Sequence, residues 1–347
     1  MKKSLFLLFA WCIAVVATAQ QKARVYAVGF YNQENLFDTC HDAGKKDYDF
    51  LPGGSYKWDG LKYGHKLRNM ARALADMGTD VLPHVGCAVI GLSEVENRRV
   101  LEDLVRQQPL AERGYAFAHI EGPDCRGIDC ALLYNPQLFT KQTERLVPYV
   151  MREAKDSAFF TRGFFTVTGE LAGEPVAFIV CHLPSRFSGS SYREWGATQV
   201  RAVKDSLLAL NPAMKVMVMG DMNDDPTDNS MRQYLSAKAE VAQVGPQDMY
   251  NPWYNLLVKQ GTGTLQYRGA WNLFDQIILS PNLLNAPGTK DFTTLKFWKA
   301  HIQRMPYLFE TEGKYKGSPK RTTAGGVWLD GYSDHLPVCV YLVKMQQ

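Results

Sequence analysis

The sequence has little that is extreme. Its 347 residues carry 39 Lys and Arg against 35 Asp and Glu, for a net charge of +4. Neither sign dominates, which excludes a polybasic binder that steers nucleic acid over long range. Charged residues make up 21% and hydrophobic ones 46%, too few and too many for a disordered chain. No collagen period or sustained heptad is present, so fibrous and coiled-coil forms are excluded too. None of the seven cysteines has zinc-ligand spacing. Internal repeats, low-complexity tracts and a Pro- or Gly-rich linker are also missing. One domain is the simplest reading, and a chain this long buries a core without staples.

The one apolar run long enough to consider for a membrane lies at the start. Met1-Lys2-Lys3 is a short basic segment, residues 5–16 are apolar, and Ala17-Thr18-Ala19 before Gln20 fits a small-x-small cleavage pattern. A run of about a dozen residues is short of the roughly 20 needed for a span. Residues 1–19 therefore read as a cleavable signal peptide, residues 20–347 as the mature domain, and the protein as periplasmic or secreted. Loss of Lys2 and Lys3 would bring the net charge to +2. Cys12 lies in the signal. Of the remaining cysteines, Cys181 and Cys339 sit in apolar runs and read as small buried hydrophobes. Cys125 and Cys130 flank a short Gly-containing loop and form the one pair singled out as a candidate disulfide.

Residues 24–31, 88–93, 129–134, 159–168, 176–181, 216–219, 273–280 and 337–343 are short, rich in β-branched or aromatic residues, and bounded by Gly, Pro, Asn or Asp, so they are predicted strands. Tyr63, Leu67, Met70, Ala71, Leu74 and Met77 recur at helical spacing, with Gly78 placed to end the helix. Trp195, Ala202, Val203, Leu207 and Leu210 predict a second helix. Continuously apolar strands mixed with helices place this chain in the α/β class, with helices covering the sheets. Residues 311–326, rich in Lys, Thr and Gly, predict a mobile loop.

Chemistry enters at the strand ends. Gly220-Asp221-Met222-Asn223-Asp224-Asp225-Pro226 follows a buried run, and a carboxylate and an amide two positions apart on such a turn can hold a hydroxyl, a water or a phosphate oxygen. Plain turn chemistry explains the segment equally well. Ser333-Asp334-His335-Leu336-Pro337 enters the last strand and offers a metal ligand beside a general acid or base, although adjacent Asp-His pairs are common. Glu94 leaves an apolar run with a carboxylate that is costly to bury unpaired and that Mg²⁺ would compensate. Taken alone, an exposed strand-end Glu is the plainer reading. Tyr31-Asn32-Gln33-Glu34-Asn35 closes the first strand. Arg186 and Arg193, after His182-Leu183-Pro184-Ser185, could grip a substrate phosphate in bidentate fashion, against a solvated helix face for Arg193. His41, His65, His84, His119 and His301 fit no motif and read as surface or packed histidines. Glu96 reads as solvating a loop, and the aromatics of residues 250–254 mostly as core.

In order along the chain, Asn32 and Glu34, Glu94, Gly127-Ile128-Asp129 with Ala131-Leu132-Leu133-Tyr134, Cys181-His182-Leu183-Pro184-Ser185, Gly220-Asp221-Met222-Asn223, Asp275 in Leu273-Phe274-Asp275-Gln276-Ile277, and Ser333-Asp334-His335 resemble the endonuclease/exonuclease/phosphatase superfamily of DNase I-like enzymes. The resemblance implies a four-layer α/β sandwich, in which two packed, mostly antiparallel or mixed sheets are flanked by helices and the site lies at one edge. It implies a metal-dependent phosphoric ester hydrolase using Mg²⁺, with Mn²⁺ as an alternative. Glu94 would be the principal metal ligand, with Asn32 and Asp334 near the ion and Glu34 at a second metal position. His335 would be the catalytic histidine, oriented by Asp275. Asp221 and Asn223 would position water and phosphate, and His182 would donate to the phosphate or protonate the leaving group.

Two departures narrow the substrate. His182 stands where abasic-site endonucleases carry a tyrosine, and Phe274-Asp275-Gln276 replaces the Cys-Asp-Arg of inositol 5-phosphatases. The resulting expectation is an exported, monomeric Mg²⁺-dependent phosphodiesterase or endonuclease that attacks a phosphate ester, nucleic acid among the candidates, with an in-line water. The alternative is a phosphatase or phosphodiesterase for lipid headgroups or small phosphate esters. A fold that has lost catalysis is disfavoured, because Glu94, Asp221 and His335 are all present.

Overall fold

The structure, a computed structural model, describes residues 22–150 and 161–346. The proposed signal segment and the first residues of the predicted 159–168 strand lie outside them. Strands β1 (Ala23–Leu36) and β2 (Cys87–Val95) run parallel, and β3 (Ala116–His119) and β4 (Asp129–Tyr134) extend that sheet antiparallel. A second sheet is built from β5 (Phe139–Val147), β6 (Phe164–Leu171), β7 (Glu174–His182), β8 (Lys215–Asp221), β9 (Ala237–Lys238) and β10 (Met249–Tyr250). A small hairpin, β11 (Leu265–Tyr267) and β12 (Ala270–Asn272), precedes β13 (Asp275–Leu279), which pairs antiparallel with β8. Then β14 (Lys296–Ile302), the hairpin β15 (Thr323–Ala324) and β16 (Val327–Trp328), and β17 (Val338–Met345) follow, with β14 and β17 returning to the first sheet. The strand orders are β14-β17-β1-β2-β4-β3 and β5-β6-β7-β8-β13-β10-β9, both mixed.

Period-two alternation explains the layering. In β7, Val176, Phe178 and Val180 join the core between the sheets, while Ala177, Ile179 and Cys181 face α3 (Ser190–Leu210); in β8, Met217 and Met219 point in and Val216 and Val218 out. On the other side α1 (Gly60–Asp76) and α2 (Arg98–Val105) cover the first sheet. The result is the expected four-layer sandwich. Asp59 caps α1 by accepting from the Lys62 N–H, and Gly78, at φ +77°, turns the chain just past its end as predicted. Where the sheets approach, a Cβ on Gly91 would lie 2.5 Å from Met219 Sδ. Only glycine fits there without repacking.

Several expectations change. β5 and β14 escaped detection because polar residues break their apolar runs, six in a row from Thr140 to Arg145 in β5, and charge on that edge strand discourages pairing with other chains. The buried stripe of α3 is Arg193, Ala197, Val200 and Lys204, whereas Leu210 is exposed, so the helix is rotated from the predicted face. Trp253 opens α4 (Trp253–Gln260) in the core, donating through Nε1 to the Ile277 carbonyl. Cys181 and Cys339 are buried as expected, but Cys125 and Cys130 are free, one exposed and one buried. The 311–326 segment is anchored rather than loose: Thr322 and Thr323 are buried, and Phe309 bridges Pro319. Its polar composition hid these backbone contacts.

Candidate active site

The parallel strands β1 and β2 in one sheet, and β7 and β8 in the other, end at the same edge of the sandwich. Asn32, Glu94, His182 and Asp221 stand at those ends. Strand register adds the rest: His182 lies opposite Asp221, and Asp221 opposite Asp275. His335, just before β17, completes the group. Seven of the nine residues assigned to catalysis or metal binding thus meet: Asn32, Glu94, His182, Asp221, Asp275, Asp334 and His335. Asn223 and Glu34 flank them.

Asp221 is the hub. Its Oδ2 accepts from Asn32 Nδ2 at 3.0 Å and lies 3.6 Å from His182 Nε2 and 3.8 Å from His335 Nε2; its Oδ1 accepts from the Asn223 N–H at 2.9 Å. Burial pushes its carboxyl up to about 7 against the pull of His335. His335 Nδ1 is 2.7 Å from Asp275 Oδ2, with Asp275 fully buried. Burial disfavours the imidazolium, but Asp275, Asp221 and Asp334 outweigh it and hold His335 well above the usual histidine range. His182 is the opposite case: burial, then Arg162, Arg126 and His335, push it well below that range, and its buried Nδ1 has no hydrogen-bond partner among the described residues. One imidazole is therefore held charged and the other neutral. Asn223 donates its side-chain amide to the Leu183 carbonyl, bracing the β8 turn against the end of β7.

The local backbone is unusual. Glu34, Asn35, Glu94 and Asn223 all have positive φ, between 45° and 60°. Such conformations cluster at functional sites, where surrounding contacts hold them in place. Glu94 is a bulge residue, skipped in the β2–β4 register between Ser93 and Val95. The bulge brings Oε2 to the Asn35 N–H at 2.9 Å and Oε1 to 3.5 Å from Asn32 Nδ2 and 3.7 Å from His182 Nε2.

Glu34 does not join Glu94. Buried at 3% exposure, its Oε1 accepts from Arg321 Nε at 3.1 Å and its Oε2 from the Thr322 N–H at 2.6 Å. Burial and Asp334 raise its carboxyl to about 7, with Lys66 and Arg321 pulling the other way. Asp334 shares Arg321, whose Nη2 lies 2.9 Å from Asp334 Oδ2. Arg321, Thr322 and Lys66 were missed from sequence. Lys66 alone left a signal, as a lysine one residue before Leu67 on the apolar face of α1, and it is buried with Nζ donating to Thr322 Oγ1 and the Tyr332 carbonyl.

The arginines expected to grip phosphate are held elsewhere. Arg193 is buried, its guanidinium 2.8 Å from Asp224 Oδ1 and donating to the Ser185 and Gly189 carbonyls, because its position falls on the buried stripe of α3. Arg186 is exposed but pairs with Asp225 and Asp228 and stacks on Phe274 with 4.5 Å to the ring centroid. Glu96 is also corrected: it is buried, accepts from the Asp38 N–H, and is pushed up to about 9 by burial. Its place beyond an apolar run gave no hint of the loop folded over it. His119 is packed, 3.2 Å from Asp129, as its lack of a motif suggested.

Among the described residues no group of three His, Cys, Asp or Glu side chains is gathered as a ready-made metal cage. Mg²⁺ does not require one, since it is bound through one or two carboxylates and retains several waters. Glu94, 14% exposed, offers a hard-oxygen donor of that kind, whereas Asn32 turns Nδ2 toward it and its Oδ1 accepts from the Glu34 N–H at 2.9 Å.

The sequence model described as the Endonuclease/Exonuclease/phosphatase family matches residues 27–344. A search of curated proteins finds no match. Among solved structures, an endonuclease/exonuclease/phosphatase family protein from Bacteroides thetaiotaomicron is 15% identical with a TM-score of 0.56, covering 94% of this chain and 97% of its own. A mannosyl-6-phosphatase of the same organism is also 15% identical, at TM-score 0.55, with 91% and 99% covered. D. rerio TDP2, solved with a single-strand DNA product, is 13% identical at TM-score 0.51, with 92% and 98% covered. At these identities the structural likeness bears on the fold.

Proposed function

This chain belongs to the endonuclease/exonuclease/phosphatase family and is a phosphoester hydrolase, and on that premise we propose that it is an exported, Mg²⁺-dependent enzyme for small phosphate esters. The observation that carries the substrate class is the neutralisation of Arg186 and Arg193 by Asp224, Asp225 and Asp228. Among the described residues that flank offers a long polyanion no free cationic track, whereas binding along nucleic acid relies on many cationic contacts to phosphates. Export rests on the N-terminal sequence alone.

In this reading Glu94 would hold the cation, with Asn32 placed beside it, and the ion would supply Lewis-acid charge for the phosphate. His335, held charged by Asp275, donates from Nε2 to the phosphate and stabilises charge that grows in the transition state. Asp221, with a carboxyl near neutrality and two imidazoles within 4 Å, orients the attacking water and accepts its proton. Neutral His182 offers a hydrogen bond from Nε2 to the leaving oxygen, which takes its proton from solvent. Asn223 fixes the turn that aims Asp221.

A nuclease reading draws on Phe187, fully exposed beside Arg186, because an exposed aromatic can stack a base. One assay separates the two. Purified enzyme with Mg²⁺ is offered sugar phosphates, sphingomyelin, an aryl phosphodiester, plasmid and single-stranded DNA, with EDTA and Glu94→Gln as controls. Turnover of small esters with plasmid and single strands intact is expected. Nicking of plasmid or trimming of single strands at comparable rates would replace this reading by the nuclease one, and turnover insensitive to both controls would remove the metal from it.

A further inference from the structure

Arg321 reaches back from the 311–326 segment to two carboxylates at the edge of the site. Its Nε is 3.1 Å from Glu34 Oε1 and its Nη2 is 2.9 Å from Asp334 Oδ2. The remaining oxygen of Glu34 accepts from the Thr322 N–H at 2.6 Å, and the Lys66 ammonium is bound to the Thr322 hydroxyl on the same side. Glu34 is thus a buried carboxylate already compensated by donors from the protein itself. Two carboxylates facing one another across a gap, one buried, form the arrangement in which a second divalent cation bridges hard-oxygen ligands. Here a guanidinium occupies that gap, and it cannot be neutralised at any ordinary pH.

We propose that Arg321 takes the place of a second metal ion, so that the enzyme works with one divalent cation, at Glu94, and a built-in organic cation bridging Glu34 and Asp334. The inference rests on the reading of the chain as a metal-dependent phosphoester hydrolase. Its physical content is that cation binding at Glu34 and Asp334 competes with the guanidinium. With Nε and Nη2 committed to the carboxylates, Nη1 keeps no partner among the described residues and is the donor left for a substrate oxygen.

The test counts ions. Mn²⁺ is titrated into the purified full chain, and free Mn²⁺ is followed by electron paramagnetic resonance. Wild type should bind one ion per chain, with the ion lost in Glu94→Gln and retained in Glu34→Gln. Arg321→Ala and Arg321→Gln, with folding checked by circular dichroism, should each bind one more ion than wild type, and adding Glu34→Gln should remove the extra one. Arg321→Lys should keep the wild-type count, because an ammonium still fills the gap. A second ion in wild type that Glu34→Gln removes would overturn the proposal, as would folded Arg321→Ala or Arg321→Gln with no extra ion. Wild type binding no ion while Arg321→Ala gains one would uphold this inference and refute the Glu94 metal reading, so the two fail separately.

Discussion

Replacing Asp275 by Asn removes one charge and almost no volume, which makes it the sharpest probe of the His335 pair. Asp275 is fully buried and its Oδ2 is 2.7 Å from His335 Nδ1, so ring and carboxylate face each other with little water between them. Charge centres one hydrogen bond apart lie roughly 4 Å from each other and interact by about 4 kcal/mol at an effective dielectric near 20. If His335 acts as an imidazolium, that energy is withdrawn from the state that stabilises the phosphoryl charge. A loss of about 4 kcal/mol corresponds to about 10³-fold in rate, within the range usual for a positioned acid or base. The sign of the pH effect follows. Asp275 raises the affinity of His335 for its proton, so Asp275→Asn should move the alkaline limb of kcat toward lower pH. Steady-state kinetics from pH 5 to 9 on one substrate measure both effects, with circular dichroism confirming the fold. A loss under about tenfold, or an alkaline limb that stays in place, would refute the imidazolium role.

Two further predictions concern the frame around the site. Glu174 joins the sheets away from the site: it accepts from Lys344 of β17 at 2.8 Å, lies 3.1 Å from Lys215 of β8, and accepts the Leu295 N–H. Burial alone would raise its pKa, but Lys344, the Leu295 N–H and Lys215 outweigh it and hold the carboxylate below its usual range. A depressed folded-state pKa stabilises above the unfolded value and loses that contribution as pH falls through the folded one. Glu174→Gln, which leaves buried Lys215 without a counter-charge, should cost about 3 kcal/mol at pH 7, shrinking toward pH 3 in urea melts; an equal gap at both pH values contradicts the assignment. Gly91→Ala places a Cβ 2.5 Å from Met219 Sδ and 3.1 Å from the Phe30 ring, and such overpacking costs about 1–3 kcal/mol. Met219→Ala should recover part of that loss in the double variant, and an unchanged urea midpoint in Gly91→Ala would show that the sheets yield there.

The residues legible from sequence share one property: each is fixed by its own strand. Asn32, His182, Asp221 and His335 follow or precede continuously apolar runs that can be read locally as buried strands, and the place where parallel strands end brings them together. Arg321 and Thr322 were not, because their partner Glu34 lies 287 and 288 positions away and no local pattern marks a lysine- and threonine-rich segment as folded over a carboxylate. Arg193 failed differently: the helix was predicted, but its rotation was set by Ala197 and Val200 rather than by the larger Trp195 and Leu210, which turned the arginine inward onto Asp224.

The left-handed residues connect these two cases. Glu34 and Glu94 each leave a regular strand through a positive-φ step, and each step sends a carboxylate out of the alternation its strand would impose. In β1 the step turns Glu34 toward Arg321 and Thr322; in β2 the bulge turns Glu94 toward Asn32 and His182. Both glutamates stand at strand ends, and the family resemblance assigned both to metal. The bulges decide otherwise, because a carboxylate saturated by a guanidinium and a backbone N–H has little left for a cation, whereas one with a single strong backbone donor and 14% exposure keeps lone pairs free. In the reading proposed above, two glutamates equivalent in pattern thus divide into a ligand and a counter-ion. The division follows from where each bulge releases its side chain, and it is why removing Arg321 should change the number of ions bound while removing Glu94 should abolish the first.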